Sequence, residues 1–152
     1  MIFSPWEGSP LNFRMIAKSL GVVVCIEALC MIPSLIVSLI YGQSDALDFL
    51  YSILITLAAG LLMYLVKINN KNFYARDGFA VVALGWILLS FFGSLPFLFS
   101  GSIPHPIDAF FETVSGFTTT GSTILTEVES LPKGILFWRS FTHWIGGMGV
   151  LV

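Results

Sequence analysis

The few charged residues divide this chain into four long apolar stretches. The first, residues 15–40, has Arg14 and Lys18 at its start, Glu27 near its centre and Pro33 beyond. The second, 49–66, is bracketed by Asp48 and Lys67. The third opens after Asp77 and meets no further charge until Asp108; its apolar body covers 78–100, and Pro96 predicts a bend near its far end. The fourth starts at Gly134, contains Arg139 and His143, and is still apolar at Val152. A helix needs about 20 mostly apolar residues to cross a bilayer. The pattern therefore predicts four membrane helices, the last cut short, since it meets no polar flank on which to finish.

The segment joining the third and fourth helices does not read as a simple loop. In IDAFFETVSGF, Ile107, Phe110, Phe111, Val114 and Phe117 recur at helical spacing, and Pro104 and Pro106 stand where a helix would begin. A helix over 106–117 follows. A dozen residues at about 1.5 Å each cover little more than half of a hydrocarbon core of about 30 Å, so this helix can enter the bilayer but not cross it. The polar run after it, SGFTTTGSTIL at 115–125, must then turn the chain back toward EVESLPKG. The expected fold is an all-α membrane protein. Two N-terminal transmembrane helices (15–66) precede one helix, re-entrant loop and helix unit (78–152): an outer helix 78–100, a short helix 106–117, a strand 118–122 and an inner helix 134–152. Lys67, Lys71 and Arg76 fill the connection 67–77, whereas the loop YGQSDALD has no Lys or Arg. By the excess of basic residues on the inner side, residues 1–14 and 67–77 are cytoplasmic and the re-entrant segment opens outward.

Composition agrees. Of 152 residues, 56% are hydrophobic and 11% charged, with mean hydropathy +0.89, which places the chain in lipid. Its seven Lys and Arg are spread singly and form no basic patch, which argues against a nucleic-acid partner. Cys25 and Cys30 lack metal-site spacing and read as small buried hydrophobes. The start, MIFSPWEGSPLNFR, has none of the marks of a cleaved secretory signal, so the first apolar stretch is expected in the mature protein. Trp6, Trp86, Trp138 and Trp144 suit interface or core positions.

Irregular backbone at membrane depth is tolerated where protein buries it or where it lines an aqueous path. Three threonines followed by Gly121 offer carbonyl and hydroxyl oxygens, hard ligands suited to alkali cations. Gly121 can adopt backbone angles that align successive carbonyls, and the preceding short helix would point its partially negative end at the membrane centre. The plainer alternative is a turn whose hydroxyls cap the next helix. An enzymatic alternative, an intramembrane serine hydrolase with Ser115 as nucleophile and His143 as base, leaves TTTGST without a purpose. Asp108 and Glu112, four apart on the short helix, would share a face. Asp108 could raise the cation concentration at an outer mouth or simply favour the helix start; Glu112 could accept hydrogen bonds that hold the strand in shape. On the fourth helix, Arg139 near the outer end can snorkel and His143 can bond within the bundle. Glu27 calls for a hydrogen-bond partner or a proton. Gly146 and Gly147, in GGMG, provide close packing or a flexible point.

The stretch DAFFETVSGFTTTGSTIL, followed by FWRSFTHWIGGMGVLV and preceded by YARDGFAVVALGWILLSFFGSLPF, resembles the TrkH/KtrB family of potassium uptake proteins in the Trk/Ktr/HKT cation transporter superfamily. The resemblance implies a potassium-channel-like fold of four helix, pore-loop, helix units in one chain, with two extra helices first. It makes 106–117 a pore helix and Thr118, Thr119, Thr120, Gly121 and Ser122 the first of four filter strands, with potassium held by main-chain oxygens around Thr119, Thr120 and Gly121. Asp108, Glu112, Ser115 and Gly116 would support the filter or its outer vestibule, and Arg139, His143, Gly146 and Gly147 would serve the inner helix. Glycine at 121 accompanies potassium selectivity in the family, serine sodium permeation. The resemblance further implies no organic cofactor, a cell-membrane location, a homodimer and a cytosolic ring of nucleotide-binding regulatory subunits.

Overall fold

The computed structural model describes residues 11–68 and 74–151; Trp6, Lys71 and Val152 lie outside them. Regular structure among the described residues is entirely α-helical. The first apolar stretch forms two helices, α1 (Phe13–Cys30) and α2 (Ile32–Ile40), parted at Met31 because Pro33, in the first turn of α2, cannot donate to the ladder. Helix α3 covers Ala46–Tyr64. The third stretch is α4 (Ala75–Gly93) and α5 (Leu95–Phe99), with Pro96 just past the break at Ser94. Helix α6 is Pro106–Phe117 and α7 is Lys133–Leu151. Among the described residues, three units are long and apolar enough to cross a membrane: Phe13–Ile40, Ala46–Tyr64 and Ala75–Phe99. The protein is a membrane protein. Helix α7 has a spanning length, but Arg139, Ser140, Thr142 and His143 make it more polar than those three.

Helix α4 starts three residues before 78, so Arg76 and Asp77, expected in the connection, belong to its first turn. Asp77 explains the early start. Its Oδ2 accepts the Tyr74 amide at 3.0 Å and caps α4, while its Oδ1 accepts the Asn12 amide at 3.0 Å. Asn12 in turn caps α1, its Oδ1 accepting the Met15 amide at 3.2 Å. One carboxylate thus joins the starts of α1 and α4.

Lipid tails are as apolar as leucine, so these helices associate by close packing and hydrogen bonds rather than by escape from water. Helices α1 and α3 cross at two glycines. A β-carbon on Gly21 would lie 2.6 Å from the Tyr64 nitrogen, and one on Gly60 would lie 2.7 Å from Cys25 Sγ. A second centre gathers helix ends around the re-entrant segment: Met31, Phe49, Phe97, Ala109, Ile135 and the fully buried Trp138. Trp138 Nε1 donates to the Gly93 carbonyl at 2.9 Å, at the break between α4 and α5. The loop between α2 and α3 caps α7: Gln43 Oε1 accepts the Lys133 amide at 2.6 Å, and Asp45, which accepts from Ser38 Oγ at 2.8 Å, packs on Gly134.

Candidate functional site: a re-entrant helix and its returning strand

Helix α6 is 12 residues long, about 18 Å at the usual rise, and ends at Phe117. Thr118 closes it at φ −81° and ψ 0°. Beyond this point the backbone alternates in hand: Thr119 has φ +57°, Thr120 is not left-handed, and Gly121 has φ +75°. A β-branched residue with positive φ is an outlier held in place only by its surroundings. Here the surroundings are the end of α6. The Thr118 amide donates to Val114 O at 2.9 Å, Thr119 to Gly116 O at 2.9 Å, and Thr120 and Gly121 to Ser115 O at 3.0 and 3.4 Å. Alternating hand brings successive N–H groups to one side, and these amides satisfy the last carbonyls of the helix, which would otherwise be unpaired. The carbonyls of Thr118 to Gly121 accept no hydrogen bond from a described residue, and the residues that carry them are exposed.

Polar side chains fasten the strand beyond Gly121. Ser115 Oγ donates to the Ser122 carbonyl at 2.6 Å. Glu112, 2% exposed, accepts Thr123 Oγ1 at 2.9 and 3.0 Å and the Ile124 amide at 3.2 Å. The same carboxylate receives Arg139 Nε of α7 at 2.6 Å. Arg139 is therefore turned inward to an ion pair instead of snorkelling outward. Thr118 and Thr120 hydroxyls meet at 2.9 Å on the exposed face.

Helix α7 lies close behind. A β-carbon on Gly146 would overlap the Phe117 carbonyl, and one on Gly116 would overlap the Thr142 hydroxyl, so both glycines are contact points between α6 and α7. Gly147 faces the Thr119 methyl. The structure thus brings Glu112, Ser115, Gly116, Arg139, Gly146 and Gly147 to the strand. It leaves Asp108 half-buried in the first turn of α6, at the opposite end from Thr118, with no partner among the described residues. His143 Nδ1 pairs with the Arg139 carbonyl at 2.8 Å. With the Ser115 hydroxyl given to Ser122, the serine–histidine hydrogen bond required by the hydrolase alternative does not form.

Sequence reasoning missed Thr123, Thr142 and the pairing of Glu112 with Arg139. Thr123 is 11 residues from Glu112 across a non-helical turn, which no periodicity links. The available signal was an acid within α6 and a base within α7, each inside a membrane element where an ionisable group calls for a partner.

A short re-entrant helix that ends in an aligned strand and is backed by a close inner helix defines a membrane protein with a pore loop. The TrkH family, described as cation transport protein, matches residues 46–152. The Trk system potassium uptake protein TrkH of Halomonas elongata is 40% identical over 144 residues, which cover 93% of this chain and 30% of that protein. TrkH of Escherichia coli (strain K12) is likewise 40% identical over 93% of this chain and 30% of its own length. Among solved structures, the crystal structure of the potassium transporter TrkH from Vibrio parahaemolyticus superposes with a TM-score of 0.86 at 35% identity, covering 93% of this chain and 31% of that one. The chain belongs to the TrkH family of cation transport proteins. It spans about 30% of the length of the curated relatives it matches.

Proposed function

We propose that this chain supplies the first filter strand of the pore-forming subunit of a Trk/Ktr-type potassium uptake system. One observation carries the reading: the amides of Thr118 to Gly121 are all turned back onto α6, and the carbonyls of these exposed residues have no partner among the described residues. Such a row of oxygens can replace the hydration shell of an alkali cation. The C-terminus of α6, with roughly half a negative charge, adds attraction at the same level. Potassium is the substrate, bound by main-chain oxygens of Thr119, Thr120 and Gly121 between Thr118 and Ser122. Glu112, Ser115 and Gly116 hold the strand, and Asp108 faces the outer vestibule. Gly146 and Gly147 let the inner helix approach, and Arg139 and His143 stabilise it.

A filter is a ring, which one strand cannot enclose. Three further pore units close it in this reading, within a homodimer in the cell membrane that carries a cytosolic nucleotide-binding ring. The relatives' description as potassium uptake proteins supports the ion assigned here. The test is a protein carrying all four units, expressed in a cell without its own potassium uptake. Growth at low potassium and rubidium accumulation are expected; failure of both overturns the reading.

A further inference from the structure

Glu27 sits in α1, outside the re-entrant unit, and is 3% exposed, yet neither carboxyl oxygen has a hydrogen-bond partner among the described residues. Burying a polar group without a partner costs several kcal/mol, roughly, so a residue kept in that state needs a physical reason. Its neighbours supply one. A β-carbon on Gly93 of α4 would lie 2.9 Å from Glu27 Oε1, 2.9 Å from the Thr113 methyl and 3.1 Å from the Phe117 ring, so the carboxyl and two α6 side chains converge on one point. Phe117 is the last residue of α6; its ring meets Trp86 edge-on and its carbonyl rests against Gly146. Beside the carboxyl lies an apolar cavity of about 200 Å³ between Val23, Ile26, Leu89, Phe117 and Ile145. Losing the Glu27 side chain would enlarge this space and free the Phe117 ring to move into it.

We infer that Glu27 is a positioning residue for the filter: its carboxyl wedges Phe117 in place and so fixes the peptide from which Thr118 and Thr119 set out. The inference rests on the filter assignment above and adds to it a control point outside the pore unit. The Phe117 carbonyl, packed on Gly146, passes a shift of the ring on to the Thr118 peptide.

The test uses the protein with all four pore units, reconstituted in vesicles, and reads the rubidium-to-sodium flux ratio and the KM for rubidium. Glu27→Ala is expected to lower the ratio at least about fivefold, the low end of coupling between packed sites, and to raise KM. Glu27→Gln, nearly the same shape, should stay within about twofold. Gly93→Ala presses on the same three groups and should lower the ratio as well. Unchanged selectivity and KM in Glu27→Ala overturns the inference, as does a Glu27→Gln protein that falls as far as Glu27→Ala. If Glu27→Ala does not reach the membrane, Gly93→Ala decides: an unchanged ratio there overturns it. A parent protein that carries no rubidium sinks the filter assignment instead, so the two failures are distinguishable.

Discussion

At the scale of single residues, the strand is held by opposed demands on the backbone. Thr119 and Gly121 both have positive φ, but only Gly121 does so without a side chain to strain. A β-carbon at 121 would meet nothing within 4 Å among the described residues, so within this chain the penalty of a substitution is conformational, about 1–2 kcal/mol. Gly121→Ser should therefore fold, relax toward negative φ and turn the residue's carbonyl out of line. Sodium flux should rise relative to rubidium, and an unchanged ratio would count against the filter assignment. Glu112 makes a different prediction. Its carboxylate joins Thr123, Ile124 and Arg139, and removing one partner of a buried pair typically costs about 3–5 kcal/mol. Arg139 keeps some solvent contact, with 17% of its side chain exposed, which puts Glu112→Ala near the lower figure, about 3 kcal/mol. Denaturant titration in detergent measures this. A loss well below 1 kcal/mol would mean that the strand holds its shape without the clamp.

At the scale of elements, the close crossing of α1 and α3 depends on the absence of side chains at Gly21 and Gly60. Gly60→Val would push into the Cys25 sulfur and, just behind it, the Cys25 nitrogen and the Gly21 carbonyl, backbone that cannot swing aside. Overpacking of this kind costs roughly 1–3 kcal/mol, so a lowered melting temperature in detergent is expected. An unchanged melting temperature would show that α1 and α3 do not depend on this close approach. The helices themselves were legible in the sequence because bilayer thickness fixes a length and charges mark the ends. The short α6 was legible too, through its proline start and helical spacing. Less readable were features set by tertiary partners. Helix α4 starts early because Asp77 caps it and also holds Asn12, 65 residues away. Arg139 points inward because a buried acid on another element, Glu112, pairs with it. The alternation of hand from Thr118 to Gly121 was only half readable, since glycine announces positive φ and threonine does not.

At the scale of the whole molecule, the bilayer decides what the fold means. The uptake reading requires α6 to enter from, and the strand to return to, the outer side. That in turn requires the α2–α3 loop to be outside and the α3–α4 connection inside. The distribution of Lys and Arg favours this orientation: the α2–α3 loop from Gly42 to Asp45 has none, and Lys67 stands three residues beyond the end of α3 at Tyr64. Ser44 and Lys67 are both exposed and lie just beyond opposite ends of α3, a 19-residue span. The two positions therefore report opposite faces of one membrane. Cys25 and Cys30 are free but lie within the first span, where a charged maleimide does not penetrate. In intact cells, Ser44→Cys should be labelled by an impermeant maleimide, and Lys67→Cys only after the membrane is opened. The reverse pattern would place the strand on the inner side, with its carbonyls facing a potassium-rich cytoplasm, and the uptake reading would lose its entry.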